Sequence, residues 1–194
     1  MQRRLTDNER WLLSFYRTSE ISGALFFGRL AKSMSPGQIQ HDMTKHFADE
    51  SQHAWYWTTC MAQLGAQPLV LSDAYQDQYL AAVGLPANLM EVLALTQIFE
   101  RRVIHQYARH SRVPLLHAAV KTTLDTIMQD EKWHIDWVGK ALKGMESAYG
   151  AAYIADTLAR YREADQAIYQ HMLHEHAERV QEMIRCQQHE RGEP

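Results

Sequence analysis

Two copies of one short pattern constrain this chain more than any other feature. Asp49-Glu50-Ser51-Gln52-His53 and Asp130-Glu131-Lys132-Trp133-His134 both read Asp-Glu-x-x-His, and nowhere else in the sequence does a His follow a Glu by three. Residues three apart share one face of a helix, so each copy sets a carboxylate beside an imidazole wherever the segment is helical. The surroundings favour helix. Five Pro and nine Gly fall between long stretches rich in Ala, Leu, Met, Gln, Glu and Arg, and no stretch shows sustained apolar–polar alternation. The chain reads as all-α.

The first helix is expected from a cap at Asp7 or Asn8 to about Met34, with Leu13, Tyr16, Glu20, Gly23, Phe27 and Leu30 on one stripe. Ser35 would cap the second, which starts at Pro36 and stops at Gly65, with Met43, His46, Glu50, His53, Trp57 and Cys60 facing inward. A connection of roughly twenty residues follows, with a short helix expected over 73–83. At ~3.3 Å per residue it can run back along a ~40 Å helix, which would make the second and third helices parallel. The third, about Ala87 to His110, carries Leu93, Thr96, Glu100 and Tyr107. The fourth follows a turn at 111–114 and carries Leu124, Ile127, Glu131, His134 and Val138 to about Leu142. A fifth helical stretch, interrupted near Gly150, reaches about Arg185, and the polar tail after Cys186 should fray. The expected architecture is one domain over residues 1–194. A four-helix bundle of two hairpins with a long crossover occupies about 7–143, and a C-terminal helical extension about 145–186.

An antiparallel hairpin places residues equidistant from its turn at one height. Glu20 and Glu50 lie equally far from Ser35, and the turn near 113–115 falls midway between Glu100 and Glu131. Four Glu and two His therefore converge in one core layer. One buried Glu or His is more often structural than functional, but six together are a different matter. Burying a carboxylate without a partner costs several kcal/mol, and no core Lys or Arg matches these four. Two divalent cations would balance four carboxylates and neutral imidazoles. Oxygen ligands with one imidazole per metal suit iron, manganese or a mixed pair better than structural zinc. Glu20, Glu50, His53, Glu100, Glu131 and His134 are the expected ligands. Asp49 and Asp130, each four residues before a motif His, are expected to hold an imidazole N–H, within the helix or across the bundle.

This set resembles the ligands of the ferritin-like di-iron carboxylate superfamily, which includes rubrerythrins, bacterioferritins and di-iron oxygenases: two lone Glu and two Glu-x-x-His on four helices. The resemblance covers about residues 7 to 143. It implies a ferritin-like bundle holding two iron ions, and a non-haem oxidoreductase of the monooxygenase or oxidase type that activates dioxygen or peroxide to oxidise a substrate. A ferroxidase or iron-storage protein and a tRNA-hydroxylase-like RNA-modifying enzyme are the alternatives it leaves open. Val103 stands where rubrerythrins carry a further ligand Glu, and Ser51 where bacterioferritins place a haem-binding Met. Gln52 and Trp133 replace the Arg of the Asp-Glu-x-Arg-His motif of bacterial monooxygenases. Tyr16 and Thr96, one turn before Glu20 and Glu100, are the candidate catalytic hydroxyls. Gly23, one turn past Glu20, either lets two helices approach closely or leaves room for oxygen or a substrate.

Composition excludes several classes. The formal charge of −3 calls for neither nucleic acid nor an anionic membrane. No apolar run approaches the ~20 residues that span a bilayer, and the first residues lack the apolar core of a secretory signal. Two Cys are too few for a disulfide framework. The expected setting is cytoplasmic. With no flavin, haem or iron–sulfur motif, electrons would come from an external donor, a reductase or a ferredoxin-like protein. The other expected partners are an unidentified substrate and a second copy of the chain in a homodimer; nucleic acid enters only through the RNA-modifying alternative. The basic stretch from Arg101 to Arg112 reads as a solvated face or as a partner for acidic residues of the fifth stretch, and a surface for RNA or an acidic donor protein is its sharper alternative.

Overall fold

A computed structural model describes residues 3–72 and 75–191. Its elements are α1 (Asp7–Ser33), α2 (Gln38–Gln63), α3 (Tyr75–Val83), α4 (Leu89–His110), α5 (Ala118–Gly144), α6 (Glu146–Tyr149), α7 (Ala151–Glu175) and α8 (Ala177–Arg191). No strand occurs among the described residues, so the protein is all-α. No helix among them is long and apolar enough to cross a membrane.

Local chemistry sets the helix ends. Thr6, rather than Asp7 or Asn8, opens α1. Its hydroxyl accepts from the Glu9 N–H at 3.1 Å and the Glu9 carboxylate accepts from the Thr6 N–H at 2.7 Å, which satisfies two otherwise orphaned donors. The second helix starts at Gln38 instead of Pro36, with Gly37 at its cap and no side-chain cap bond, so residues 35–37 belong to the connection. Asn88 caps α4 by accepting from the Glu91 N–H. The interruption at Gly150 is present, with φ at 86°, a backbone region that favours glycine. A second break, not expected from the sequence, falls at His176, whose ring turns in against Trp11 of α1. Beyond it α8 continues as helix to Arg191 where fraying was expected. The expected start of the short crossover helix at Asp73 lies outside the described residues.

Pairs across the helices give their directions. Gly28 faces Phe47 while Arg17 bonds Thr58 at 2.8 Å, so α1 and α2 run oppositely. His46 meets Glu100 at 3.1 Å and Trp57 meets Tyr107 at 3.3 Å; both numbers rise together, so α2 and α4 are parallel. The connection between them is tied down by α3. The Tyr79 hydroxyl donates to Asp165 of α7, and Arg102 of α4 pairs with the same carboxylate at 2.5 Å. Arg109 donates to the Tyr169 hydroxyl at 2.7 Å, so part of the basic stretch is occupied by α7.

Two apolar clusters fill the interior. One gathers Leu13, Tyr16, Trp57, Leu124 and Ile127, the other Phe27, Met43, Leu93, Trp137 and Val138. Glu20 of α1, His46, Glu50 and His53 of α2, Glu100 of α4, and Glu131 and His134 of α5 fall between these two sets. A polar layer is thus sandwiched between two apolar ones.

Candidate metal centre

The polar layer draws one Glu from α1, a Glu and a His from α2, one Glu from α4, and a Glu and a His from α5. Glu20, Glu50, His53, Glu100, Glu131 and His134 are all buried, none more than 5% exposed. Their inward atoms form two overlapping groups. Glu20, Glu50, His53 and Glu131 offer one atom each within 4.8 Å of one another, and so do His46, Glu50, Glu100 and His134. Glu50 belongs to both. Glu131 also spans them, with Oε1 3.3 Å from Nδ1 of His53 and Oε2 2.8 Å from Nδ1 of His134. Glu50 and Glu131 therefore reach both groups, while Glu20 and Glu100 each belong to one.

Both motif imidazoles turn Nδ1 inward, and the opposite nitrogen explains why. Nε2 of His53 lies 3.3 Å from Asp130, and Nε2 of His134 lies 3.2 Å from Asp49. A carboxylate accepts, so Nε2 carries a hydrogen, and Nδ1 is the atom that would offer a lone pair to a cation in the layer once the ring is neutral. The pairing is reciprocal and runs across the interface: Asp49 of α2 serves α5, and Asp130 of α5 serves α2. Lys45 holds Asp49 in turn, at 2.5 Å.

The donors fit a pair of divalent cations. His46 Nε2, His53 Nδ1, Glu100 Oε1 and Glu131 Oε1 are buried without a well-formed hydrogen bond, so the layer contains inward polar atoms that no described side chain satisfies. Hard oxygens with an imidazole nitrogen in each group match the preferences of iron and manganese. With the side chains alone, the layer must hold protons instead. Burial, then the charges of Glu20 and Glu131, push Glu50 well above the usual carboxylate range, and burial with Glu131 does the same to Glu100. Glu131 goes the other way, because the two imidazoles outweigh its burial. Burial alone would lower His53, but the Asp130, Glu131 and Glu20 carboxylates outweigh it and raise the ring. His134 rises likewise against burial, through Glu131 and Asp49.

Two residues join the layer that were read from sequence only as apolar-stripe positions. His46, fully buried, points Nε2 at Glu100 and Glu50, 3.1 Å and 3.4 Å away, and stacks on His134. Tyr107 donates its hydroxyl to Glu20 and accepts from the Trp57 indole at 3.3 Å. Their signal was spacing: His46 is one turn before Glu50, and Tyr107 two turns after Glu100, on the same faces. The two candidate catalytic hydroxyls lie elsewhere. Tyr16 turns its hydroxyl to the Met183 sulfur of α8, 3.4 Å away, and Thr96 donates to the Val92 carbonyl at 3.0 Å. Gly23 abuts the layer directly. A Cβ there would sit 2.4 Å from Oε2 of Glu50, closer than any real contact.

No protein-family model, curated protein or solved structure matches the chain.

Proposed function

We propose that the chain is a ferritin-like four-helix bundle, with a C-terminal helical extension, that holds two iron or manganese ions and acts as a dioxygen-dependent oxidoreductase. The observation that carries this reading is the reciprocal pair of Asp-held imidazoles, each turning Nδ1 into a layer of four buried carboxylates. Two such ions would supply Lewis acidity and the redox change that dioxygen reduction requires. Glu50 and Glu131 would bridge them, and Glu20 with His53 and Glu100 with His134 would complete the two ends. The Asp49 and Asp130 carboxylates fix the imidazole tautomers. Tyr107 orients Glu20 through its hydroxyl. The apolar clusters above and below keep bulk water from the layer. Inserting one oxygen atom of dioxygen into a C–H bond and reducing the other to water consumes two electrons and two protons, so an external donor is part of the proposal.

Anaerobic titration with ferrous ion tests it. Two ions per chain are expected, followed on admission of oxygen by oxygen uptake and a new absorption in the near-ultraviolet or visible. Glu50→Ala and Glu131→Ala should abolish both. Binding of fewer than two ions, or two ions inert to oxygen, would refute the enzyme reading. Iron storage is separated by particle size, because it needs a large hollow assembly.

A further inference from the structure

We propose that the cavity of about 310 Å³ between α1, α3 and α4 binds the substrate of this centre, and that the substrate is a small, uncharged, apolar molecule of the alkyl or aromatic kind. The assignment of the occupant as substrate rests on the dimetal reading; the apolar selectivity of the cavity does not.

The inner wall is one residue thick. It includes Gly23, Phe27 and Thr96. Gly23 is the surface against which Oε2 of Glu50 rests, with no Cβ between the carboxylate and the cavity. Phe27 stacks on the His46 ring with centroids 3.9 Å apart. Thr96 stands one helical turn before Glu100. A molecule seated here would lie against the ligand layer from the α1–α4 side.

The lining also sets what that molecule can be. Leu95, Phe99 and the ring of Tyr79 form the sides, and Tyr79 gives its hydroxyl to Asp165, away from the cavity. Thr96 already donates to Val92, which leaves its oxygen only accepting capacity. The charged residues of the lining are Arg29 and Asp77, of opposite sign and both exposed. A charged ligand would therefore find no counterion at depth, and desolvating it would cost more than the walls return. Leu25, Phe26 and Leu80 line the cavity too and remain exposed, so its rim is apolar. Its volume falls at the small end of the about 300–1,000 Å³ of ligand pockets. A larger groove of about 830 Å³, over Trp11, Phe15, Ala81 and His176, contains none of the residues that back onto the layer.

The test uses a matched pair of fluorescent probes: neutral N-phenylnaphthylamine and its sulfonated analogue, anilinonaphthalene sulfonate. The neutral probe should bind the metal-free chain one to one, and the sulfonated one much more weakly. Leu95→Trp and Leu80→Trp, which fill the cavity from its side and its rim, should each weaken the neutral probe by about tenfold or more. Ala81→Trp, in the larger groove, should leave it unchanged. In manganese-loaded protein the relaxation of the bound probe's protons should be enhanced over a zinc-loaded control. Equal affinity for both probes, indifference to both cavity variants, or binding without relaxation enhancement in the loaded protein would overturn the proposal. A chain that selects the neutral probe through these residues but takes up no metal would refute the dimetal reading and the word substrate, and would leave an apolar binding site in place.

Discussion

The Trp137 indole N–H of α5 donates to Nδ1 of His46 of α2 across 3.3 Å. An indole nitrogen only donates, so His46 accepts there and its own hydrogen sits on Nε2, the nitrogen that faces Glu100 and Glu50. This reverses the arrangement of His53 and His134, whose outer nitrogens face carboxylates. Three imidazoles enter the layer, but only two present a lone pair. His46 is further kept neutral, because burial and the neighbouring His134 push it well below the ordinary imidazole range. The expected outcome is that cobalt-loaded protein shows two strongly shifted exchangeable imidazole N–H signals by proton magnetic resonance. Three signals would make His46 a ligand. His46→Gln should keep two metals per chain and lose about 10–100-fold in affinity.

Gly23 separates the stability of the fold from the integrity of the centre. In a helix interior Ala is favoured over Gly by about 1 kcal/mol, so a neutral environment would make Gly23→Ala stabilising. Here the new methyl would meet Oε2 of Glu50 at 2.4 Å, the end of a flexible side chain that can turn aside. Turning aside is tolerable for the fold and harmful for a bridging carboxylate. Gly23→Ala should leave the melting temperature of the metal-free protein unchanged or raised, while metal affinity falls by at least about tenfold. Calorimetry paired with metal titration reads both. A variant that unfolds without losing affinity would contradict the placement of Glu50 as a bridge.

Above pH 6.5, stability should fall with rising pH without metal and be flat with it. In the side chains alone, Glu50 and Glu100 are raised above 4.5, and His53 and His134 above 6.5. Each then holds a proton that the unfolded chain has released, so stability falls as pH rises through that window. Below 6.5 two lowered imidazoles, His46 and His110 (the latter pushed down to about 4 by burial), work in the other direction. Glu131 is lowered and changes nothing above 4.5. The clean window therefore lies above 6.5. Between about pH 6.5 and pH 8.5 the metal-free protein should lose about 1.4 kcal/mol per pH unit for each proton held. Saturating metal, which displaces those protons, should abolish the slope, and metal affinity should rise with pH. A flat melting profile after chelation would count against this account.

The parts of the centre that were legible in the sequence are those carried by spacing. Glu50 to His53 and Glu131 to His134 lie on one helix face whatever their neighbours do, and distance from the turns levels Glu20 and Glu100 with them. The twenty-residue connection implied the parallel course of α2 and α4 because chain length sets what can be reached. The parts that were not legible depend on which neighbour a side chain meets. His46 and Tyr107 occupy core-stripe positions that a Leu could have filled, and only the partners Trp137 and Glu20 give them roles. The break at His176 has no Gly or Pro to announce it and follows from contact with Trp11, far earlier in the chain. Thr6 was legible as a cap, through Glu9 three residues on, and the acidic residue next to it drew the assignment away.

Two tyrosines near Glu20 should respond unequally to loss of the hydroxyl. Tyr107 bridges Glu20 and the Trp57 indole, all of them buried. Tyr107→Phe would leave a buried carboxylate oxygen and an indole N–H short of a partner, at a cost of about 1–3 kcal/mol for each group left unsatisfied. Tyr16, whose ring packs 4.8 Å from that of Tyr107, donates its hydroxyl to the Met183 sulfur, a weak acceptor, with the Gln106 amide beside it, and touches no carboxylate of the layer. Tyr16→Phe keeps the ring and should cost less than about 1 kcal/mol. Because Tyr107 alone of the two touches Glu20, only its variant should weaken metal binding at the Glu20–His53 end. Denaturant unfolding of the two variants, with metal affinity measured alongside, decides it. Equal losses of stability would mean that the hydroxyl on Glu20 is not what holds that carboxylate. Loss of metal affinity in Tyr16→Phe alone would make Tyr16, not Tyr107, the hydroxyl that supports the centre.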